Sequence, residues 1–140
     1  MGQMKLLKEV DFYTTRKNAK RILKNYRRFE RIAGKSSIDL KSPVMSSMPK
    51  AQSHGNSAED AIVQKVYAES ERNAILDALD LLGLTSKEIL RYSYCMQDRW
   101  SNAGIADELG YSVRSIHRMR NEALIEFSEA YKHGELITYY

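Results

Sequence analysis

A polar string between positions 112 and 121, SVRSIHRMRN, carries the strongest chemical signal in this chain. On a helical wheel with roughly 100° between successive residues, two of its three arginines, its histidine and its asparagine gather on one side. Arginine can donate two hydrogen bonds to guanine O6 and N7, and asparagine can pair with N6 and N7 of adenine. This pattern predicts a base-reading surface for double-stranded DNA, formed by Arg114, Ser115, His117, Arg118 and Asn121.

The helix that carries this surface is predicted to be the second of a helix-turn-helix pair. Ser112 can cap its first turn, and Gly110 can end the preceding helix because glycine enters left-handed backbone geometry without steric cost. Ser101 can cap that preceding helix in the same way. Two helices joined by a short turn that contains glycine are the sequence signature of this motif.

The opposite face of each helix is expected to be buried. The inward residues are predicted to be Ala103, Ile105, Ala106 and Leu109 in the first helix, and Val113, Ile116, Met119, Ala123, Leu124 and Phe127 in the second. Arg120 also falls toward the inner side, where it is expected to pair with an acid or to lie along the domain edge. Around the turn, phosphate contacts that position the DNA are predicted for Ser101, Asn102, Tyr111 and Ser112.

Basic charge is concentrated at the start of the chain. Residues 1 to 35 contain eleven of its 22 lysines and arginines but three of its 18 acids. The segment 14–33 reads as one amphipathic helix with its cations opposite an apolar stripe. Such asymmetry is typical of contact with a polyanion, although a solvated face and an anionic membrane surface are the alternatives. The cations predicted to bind phosphate are Lys17, Lys20, Lys24, Arg27, Arg28 and Arg31.

These patterns predict an all-α protein in four parts. A basic N-terminal helix (1–34) is followed by a linker (35–56) that contains both prolines, a long central helix (57–83) and a helix-turn-helix domain (84–140). The central helix has two apolar faces. We expect its first half, with Ile62 to Tyr67, to pack on the N-terminal helix or on a second subunit, and its second half to pack on the helix-turn-helix core.

Composition excludes several classes of protein. The one cysteine, Cys95, rules out a disulfide framework and suits a reducing cytoplasm. No apolar run is long enough to cross a membrane, and the N-terminus lacks the apolar stretch of a signal peptide. The three histidines lack metal-ligand spacing with Cys95, and no nucleophile stands beside a base. The sequence therefore predicts a cytoplasmic protein that is not an enzyme and needs no metal or cofactor.

The segment from Ser86 to Phe127, which contains GIADELGYSVRSIHRMRNEALIEF, resembles the helix-turn-helix of region four of bacterial sigma factors. The whole chain resembles the ArpU family of phage-encoded transcriptional regulators and is similar to RinA-type activators of phage late genes. The basic N-terminal helix, SHGNSAED, and LRYSY followed by SVRSIHRMRNEAL carry this likeness. One position departs from the pattern: Gly104 stands where sigma-like versions often have an acid, and glycine weakens a helix by about 1 kcal/mol.

The resemblance implies a bacterial or prophage protein that binds promoter DNA and controls late transcription, lysis or packaging genes. It places Ser112, Arg114, Ser115, His117 and Arg118 at DNA-facing positions. We expect a homodimer, because one recognition helix covers few base pairs and paired half-sites are the usual remedy. Two alternatives are a terminase small-subunit-like protein that marks packaging sites and a sigma-like factor that binds the host RNA polymerase.

Overall fold

A computed structural model describes residues 8–34 and 57–140, and the predicted linker at 35–56 lies outside the described residues. The described ranges fold into α-helices joined by turns, and they contain no strand beyond an isolated bridge between Val10 and Tyr139. This confirms the all-α prediction. The helices are α1 (Phe12–Lys24), α2 (Tyr26–Ala33), α3 (Ser57–Asp80), α4 (Leu84–Leu90), α5 (Asn102–Leu109) and α6 (Val113–Ala130). None of them is long and apolar enough to span a bilayer.

The basic N-terminal segment forms two helices, so the prediction of one continuous helix was wrong. Asp11 caps α1 through both oxygens, which accept hydrogen bonds from the backbone N–H and hydroxyl of Thr14 at 3.2 and 2.8 Å. At Asn25 the side-chain amide donates to the carbonyl of Arg21 at 3.1 Å, and the backbone N–H bonds to the carbonyl of Ile22, three residues back, where α1 ends. An asparagine side chain that bonds the backbone competes with the helical ladder, which accounts for the break.

The main core is built around the inner face of α6. Ala123, Leu124 and Phe127 are fully buried there. They share one cluster with Ala19 and Leu23 of α1, and with the second half of α3 through Ile75, Ala78 and Leu79. The expectation that this half of α3 packs on the helices at 84–140 is therefore confirmed. Helix α1, the first of the two basic N-terminal helices, therefore shares one hydrophobic core with α6.

A second, smaller core joins α4, α5 and the start of α6. Ile89, Ile105, Ala106 and Ile116 are buried together, with Trp100 packed against them. Trp100 also contacts the ring of Tyr92, with 4.5 Å between centroids. Two inward assignments were wrong, because Ala103 and Val113 are exposed. Both lie in the first two residues of their helices, before the helices meet the core.

The junction between α3 and α4 differs from the prediction. Helix α3 ends at Asp80 and not at Gly83, because the N–H groups of Leu81 and Leu82 bond to carbonyls only three residues back. Helix α4 then begins at Leu84, with Gly83 as its cap. Within this helix, the carboxylate of Glu88 accepts a hydrogen bond from the guanidinium of Arg91 at 2.8 Å.

The C-terminal residues clamp α1 onto the core. The backbone adopts left-handed geometry at Lys132, His133 and Gly134, which reverses the chain after Tyr131. The returning segment then bonds α1: Asn18 donates to the carbonyl of Leu136 at 3.0 Å, and Thr15 accepts from the N–H of Thr138 at 3.0 Å. Thr15 is itself fully buried, so this hydroxyl finds its partner inside the protein.

One buried carboxylate ties this reversal to α3. Glu71 is only 4% exposed. Its oxygens accept hydrogen bonds from the hydroxyl of Tyr131 and the ammonium of Lys132. A buried carboxylate is costly unless it is paired and hydrogen-bonded, so these two donors determine whether the charge can be held there. The same carboxylate raises the pKa of Lys132 by hydrogen bonding to its charged form.

We expect Tyr131→Phe to lower the free energy of unfolding by about 1–3 kcal/mol, because Glu71 would be left with one donor fewer in a buried site. Urea unfolding followed by circular dichroism measures this change. Tyr94→Phe is the matched control, since Tyr94 is partly buried and its hydroxyl has no hydrogen-bond partner within the described ranges. Equal effects in the two variants would show that the hydroxyl of Tyr131 has no special role.

Cys95 packs against the main core at the end of a π-helical turn, Arg91–Cys95, that follows α4. Burial raises the pKa of its thiol from 9.0 to about 12, and the nearby guanidinium of Arg91 offsets this only in part. Because the thiolate is the nucleophile, the folded protein should hold Cys95 in an unreactive form at neutral pH.

We therefore expect an aromatic disulfide reagent at pH 8 to label Cys95 far more slowly in the folded protein than in urea. The folded chain also keeps this proton at pH values where the unfolded chain has released it. The stability contributed by this group is thus complete below pH 9.0 and falls as the pH rises toward about 12. Equal labelling rates in the two states would contradict the assignment of Cys95 to the core.

Candidate nucleic-acid interface

Helices α5 and α6 are joined by a tight turn whose caps were predicted from the sequence. The Oγ of Ser101 accepts from the N–H of Gly104 at 3.0 Å, and the Oγ of Ser112 accepts from the N–H of Ser115 at 3.1 Å. Gly110 has a φ of 80°, the left-handed geometry that glycine adopts most easily. Its N–H bonds to the carbonyl of Ala106, which closes the end of α5.

The surroundings of Gly104 explain why this helix contains a glycine. A Cβ at this position would lie 3.2 Å from the Oγ of Ser101 and 3.5 Å from the indole of Trp100. That hydroxyl is the cap of the helix, so it cannot move away without breaking the capping bond. Gly104 therefore allows close packing of the first turn of α5 against Trp100.

The outer face of α6 is open to solvent. Arg114, His117, Arg118 and Asn121 are exposed, and Ser115 is half-exposed at the margin of this face. Within the described ranges Arg114 and Asn121 form no hydrogen bond or ion pair. Arg118 approaches Glu122 at 3.8 Å, but both side chains are 64% exposed and such pairs contribute little. The hydrogen-bond donors of both arginines are thus available to a ligand.

The two serines at the start of α6 bond to each other. The hydroxyl of Ser112 donates to the Oγ of Ser115 at 3.0 Å, while its own oxygen accepts from the backbone. Ser112 is thus occupied as donor and acceptor. The hydroxyl proton of Ser115 remains available for an external acceptor, since a hydroxyl has one proton to donate.

A polar network braces α6 against the helices before it. The guanidinium of Arg120 donates to the Oγ of Ser93 at 3.0 Å and to the amide oxygen of Asn102. The amide nitrogen of Asn102 lies 3.2 Å from Nε2 of His117. One of the two expectations for Arg120 was pairing with an acid. Its partners in the structure are two neutral side chains instead. An inward arginine was the sequence signal for this network, but its partners are 18 and 27 residues away.

This network changes the setting of two predicted contact residues. Asn102 was predicted to contact DNA phosphate. In the structure its amide oxygen accepts from Arg120 and its amide nitrogen lies beside His117, so both polar atoms already have partners within the protein. His117 remains exposed, with one ring nitrogen held by Asn102. Of the other residues near the turn, Ser101 is used as a helix cap and Tyr111 is 43% exposed.

The predicted phosphate-binding cations form a second basic surface on α1 and α2. Lys17, Lys20, Lys24, Arg28 and Arg31 are exposed on these helices. Arg27 is partly buried and ion-paired with Glu30, so it is less available than the others. Arg21 is exposed as well and adds a cation that the sequence pattern did not indicate. Because α1 packs on the inner face of α6, this surface and the outer face of α6 are carried by one core.

No group of three or more histidine, cysteine or acidic side chains within residues 8–34 and 57–140 is arranged to hold a metal ion. The exposed side chains of α5 and α6 carry guanidinium, amide, imidazole and hydroxyl groups together with carboxylates such as that of Glu122.

Comparison with known proteins identifies two relatives that match along nearly the whole chain. A protein of Enterococcus hirae named "Putative autolysin regulatory protein ArpU" is 60% identical over 136 residues, which cover 97% of this chain and 99% of the relative. A protein of the same name from Streptococcus phage O1205 is 30% identical over 134 residues, or 94% and 97% of the two chains. No family model and no solved structure matches the chain.

Proposed function

The chain belongs to the ArpU family of autolysin regulatory proteins, and from this premise we propose that it is a DNA-binding transcriptional regulator and not an enzyme. In this proposal α5 and α6 act as a helix-turn-helix of the sigma region-four type. The N-terminal half of α6 enters the major groove of promoter DNA, as recognition helices do.

The observation that carries this proposal is the state of the outer face of α6. Its inner face is buried and its first turn is capped, so the helix is held rigidly. Yet Arg114 and Asn121 on the outer face have no polar partner within the described ranges, and the pairing of Arg118 is weak. Rigid presentation of unpaired donors is what bidentate contacts to guanine and adenine require.

The basic surface on α1 and α2 supplies affinity in this proposal. Phosphate neutralisation by lysine and arginine releases counterions and strengthens binding to any DNA sequence. Helices α5 and α6 carry acids as well as bases, among them Asp107, Glu108 and Glu122. We therefore assign affinity mainly to α1 and α2, and base preference to Arg114, Ser115, Arg118 and Asn121.

The name of the relatives indicates the genes under control. Both are named for the regulation of an autolysin, and one comes from a phage. We propose that this chain regulates phage or prophage late genes for lysis or packaging. The direct test is footprinting of the purified protein across the promoters beside its own gene, with and without RNA polymerase. Protection on free DNA supports the proposal, whereas protection that needs polymerase favours a sigma-like mode of action.

We expect Arg114→Ala and Arg118→Ala each to weaken binding to the footprinted site by about 1–3 kcal/mol and to relax base preference at one position. Fluorescence anisotropy with the site and with single-base variants of it measures both effects. Lys87→Ala is the control, because it removes one cation that is paired with Asp80 in the junction between α3 and α4. A uniform weakening on all sequences would assign the arginines to phosphate and not to bases.

Neutralising Lys20, Lys24 and Arg28 together with glutamine should flatten the dependence of the logarithm of the binding constant on the logarithm of salt. The slope should fall by about 0.9 for each DNA phosphate that is no longer neutralised. The matched control neutralises Lys65, Lys87 and Arg91, and so removes the same charge from sites that are paired with acids. If the two triple variants behave alike, net charge and not the surface of α1 and α2 sets the affinity.

A further inference from the structure

The first half of α3 exposes an apolar surface on the side away from the core. Ile62, Val63, Val66 and Tyr67 are 46, 65, 57 and 58% exposed. On the same helix, Ala68, Glu71 and Ile75 are buried, and they lie on the opposite side of the helical wheel. At the margin of this surface, Phe29 of α2 meets Tyr67 edge-to-face with 6.1 Å between ring centroids.

The apolar part of this surface, from Ile62 to Tyr67, contains no unpaired charge. Lys65, which flanks it, is ion-paired with Glu69 at 2.7 Å. The side chains between Ala61 and Gln64 are uncharged. An exposed apolar group of this kind on a helix of a folded domain marks an interaction surface more often than a solvated one.

The residues along the middle of this surface follow the spacing of a two-helix seam. Glu59, Val63, Val66 and Ser70 are separated by four, three and four residues, the alternation found at the contact positions of coiled coils. All four are exposed or partly exposed. The order of spacings reads the same in both directions, which is the condition for a helix to pair with an antiparallel copy of itself about a two-fold axis.

We propose that this stripe of residues, from Glu59 to Ser70 along the exposed side of α3, is a homodimer interface. In it, α3 of one chain packs antiparallel on α3 of a second copy. With the two-fold axis between positions 64 and 65, Val63 of each chain lies opposite the partner's Val66. Glu59 then lies opposite the partner's Ser70, whose hydroxyl can donate to the carboxylate.

Charge on the stripe selects the antiparallel arrangement. In a parallel pair, Glu59 would face the partner's Glu59. Asp77 is exposed and lies seven residues beyond Ser70 on the same side of α3, so it would likewise face the partner's Asp77. Like charges set opposite each other oppose association, and pairs of this kind determine the orientation of helices. The antiparallel register separates both acids from their copies.

The size of the stripe sets the strength of the dimer. The apolar side chains of Ile62, Val63, Val66 and Tyr67 are about half exposed. Together they offer on the order of 400 Å² of area per copy, which is about half of what each partner buries in a standard stable interface. We therefore expect a weak dimer whose population depends on protein concentration. This inference does not rest on the proposed DNA binding, and it is measured on the protein alone.

Sedimentation equilibrium of the full chain tests self-association. The average mass should rise from 16.1 kDa toward twice that value as the concentration increases. Val66→Glu should hold the mass at the monomer value with an unchanged helical spectrum. The matched control is Leu84→Glu, which places the same charge on a residue that is 76% exposed outside the stripe and should leave association unaltered. A wild-type mass that stays at 16.1 kDa at all concentrations overturns the proposal and leaves the stripe to a different protein.

Cross-linking tests the register. A mixture of the variants Glu59→Cys and Ser70→Cys should form a disulfide-linked dimer of the two chains under mild oxidation, because these positions lie opposite each other in the antiparallel pair. Neither variant should cross-link efficiently by itself. The wild-type protein controls for Cys95, whose thiol is held in the core. Efficient cross-linking of Glu59→Cys alone would overturn the antiparallel register.

Discussion

Burial of one face of α6 is the constraint on which the rest of the structure depends. Ala123, Leu124 and Phe127 form a fully buried strip, and α1, α3 and the C-terminal segment all pack against it. A long helix held along one face by several elements cannot rotate without disrupting the packing against every one of them. The orientation of the exposed arginines near its start is thus set by apolar packing at its other end.

Polar groups complete what apolar packing begins. The network from Ser93 through Arg120 to Asn102 holds α5 and the preceding turn at a set position beside α6. The buried carboxylate of Glu71 does the same for α3 and the C-terminal reversal. Such groups are costly to leave unpaired, so they penalise alternative arrangements more than they stabilise the observed one. We interpret both networks as determinants of geometry.

Local features of this fold and the packing of the second half of α3 could be predicted from the sequence, whereas polar pairs between distant residues could not. Ser101, Gly110 and Ser112 were identified correctly because a cap or a left-handed turn depends on neighbours within a few residues. The partners of Glu71 lie 60 and 61 residues away, and no periodicity reports them. Helical wheels failed at Ala103 and Val113 because a wheel ignores where along a helix its neighbours begin. The predicted DNA contacts remain predictions, since the surface of α6 shows availability and not occupancy.

The clamp on α1 has a consequence for how the protein is made. Asn18 and Thr15 find their partners 118 and 123 residues later in the chain. During translation α1 therefore leaves the ribosome well before the segment that covers it, and it waits on the order of ten seconds at ordinary elongation rates. Throughout that interval its apolar side is open to chaperones and its basic side to any nearby nucleic acid. The order of synthesis thus leaves nascent α1 exposed until the C-terminal segment that bonds it has been made.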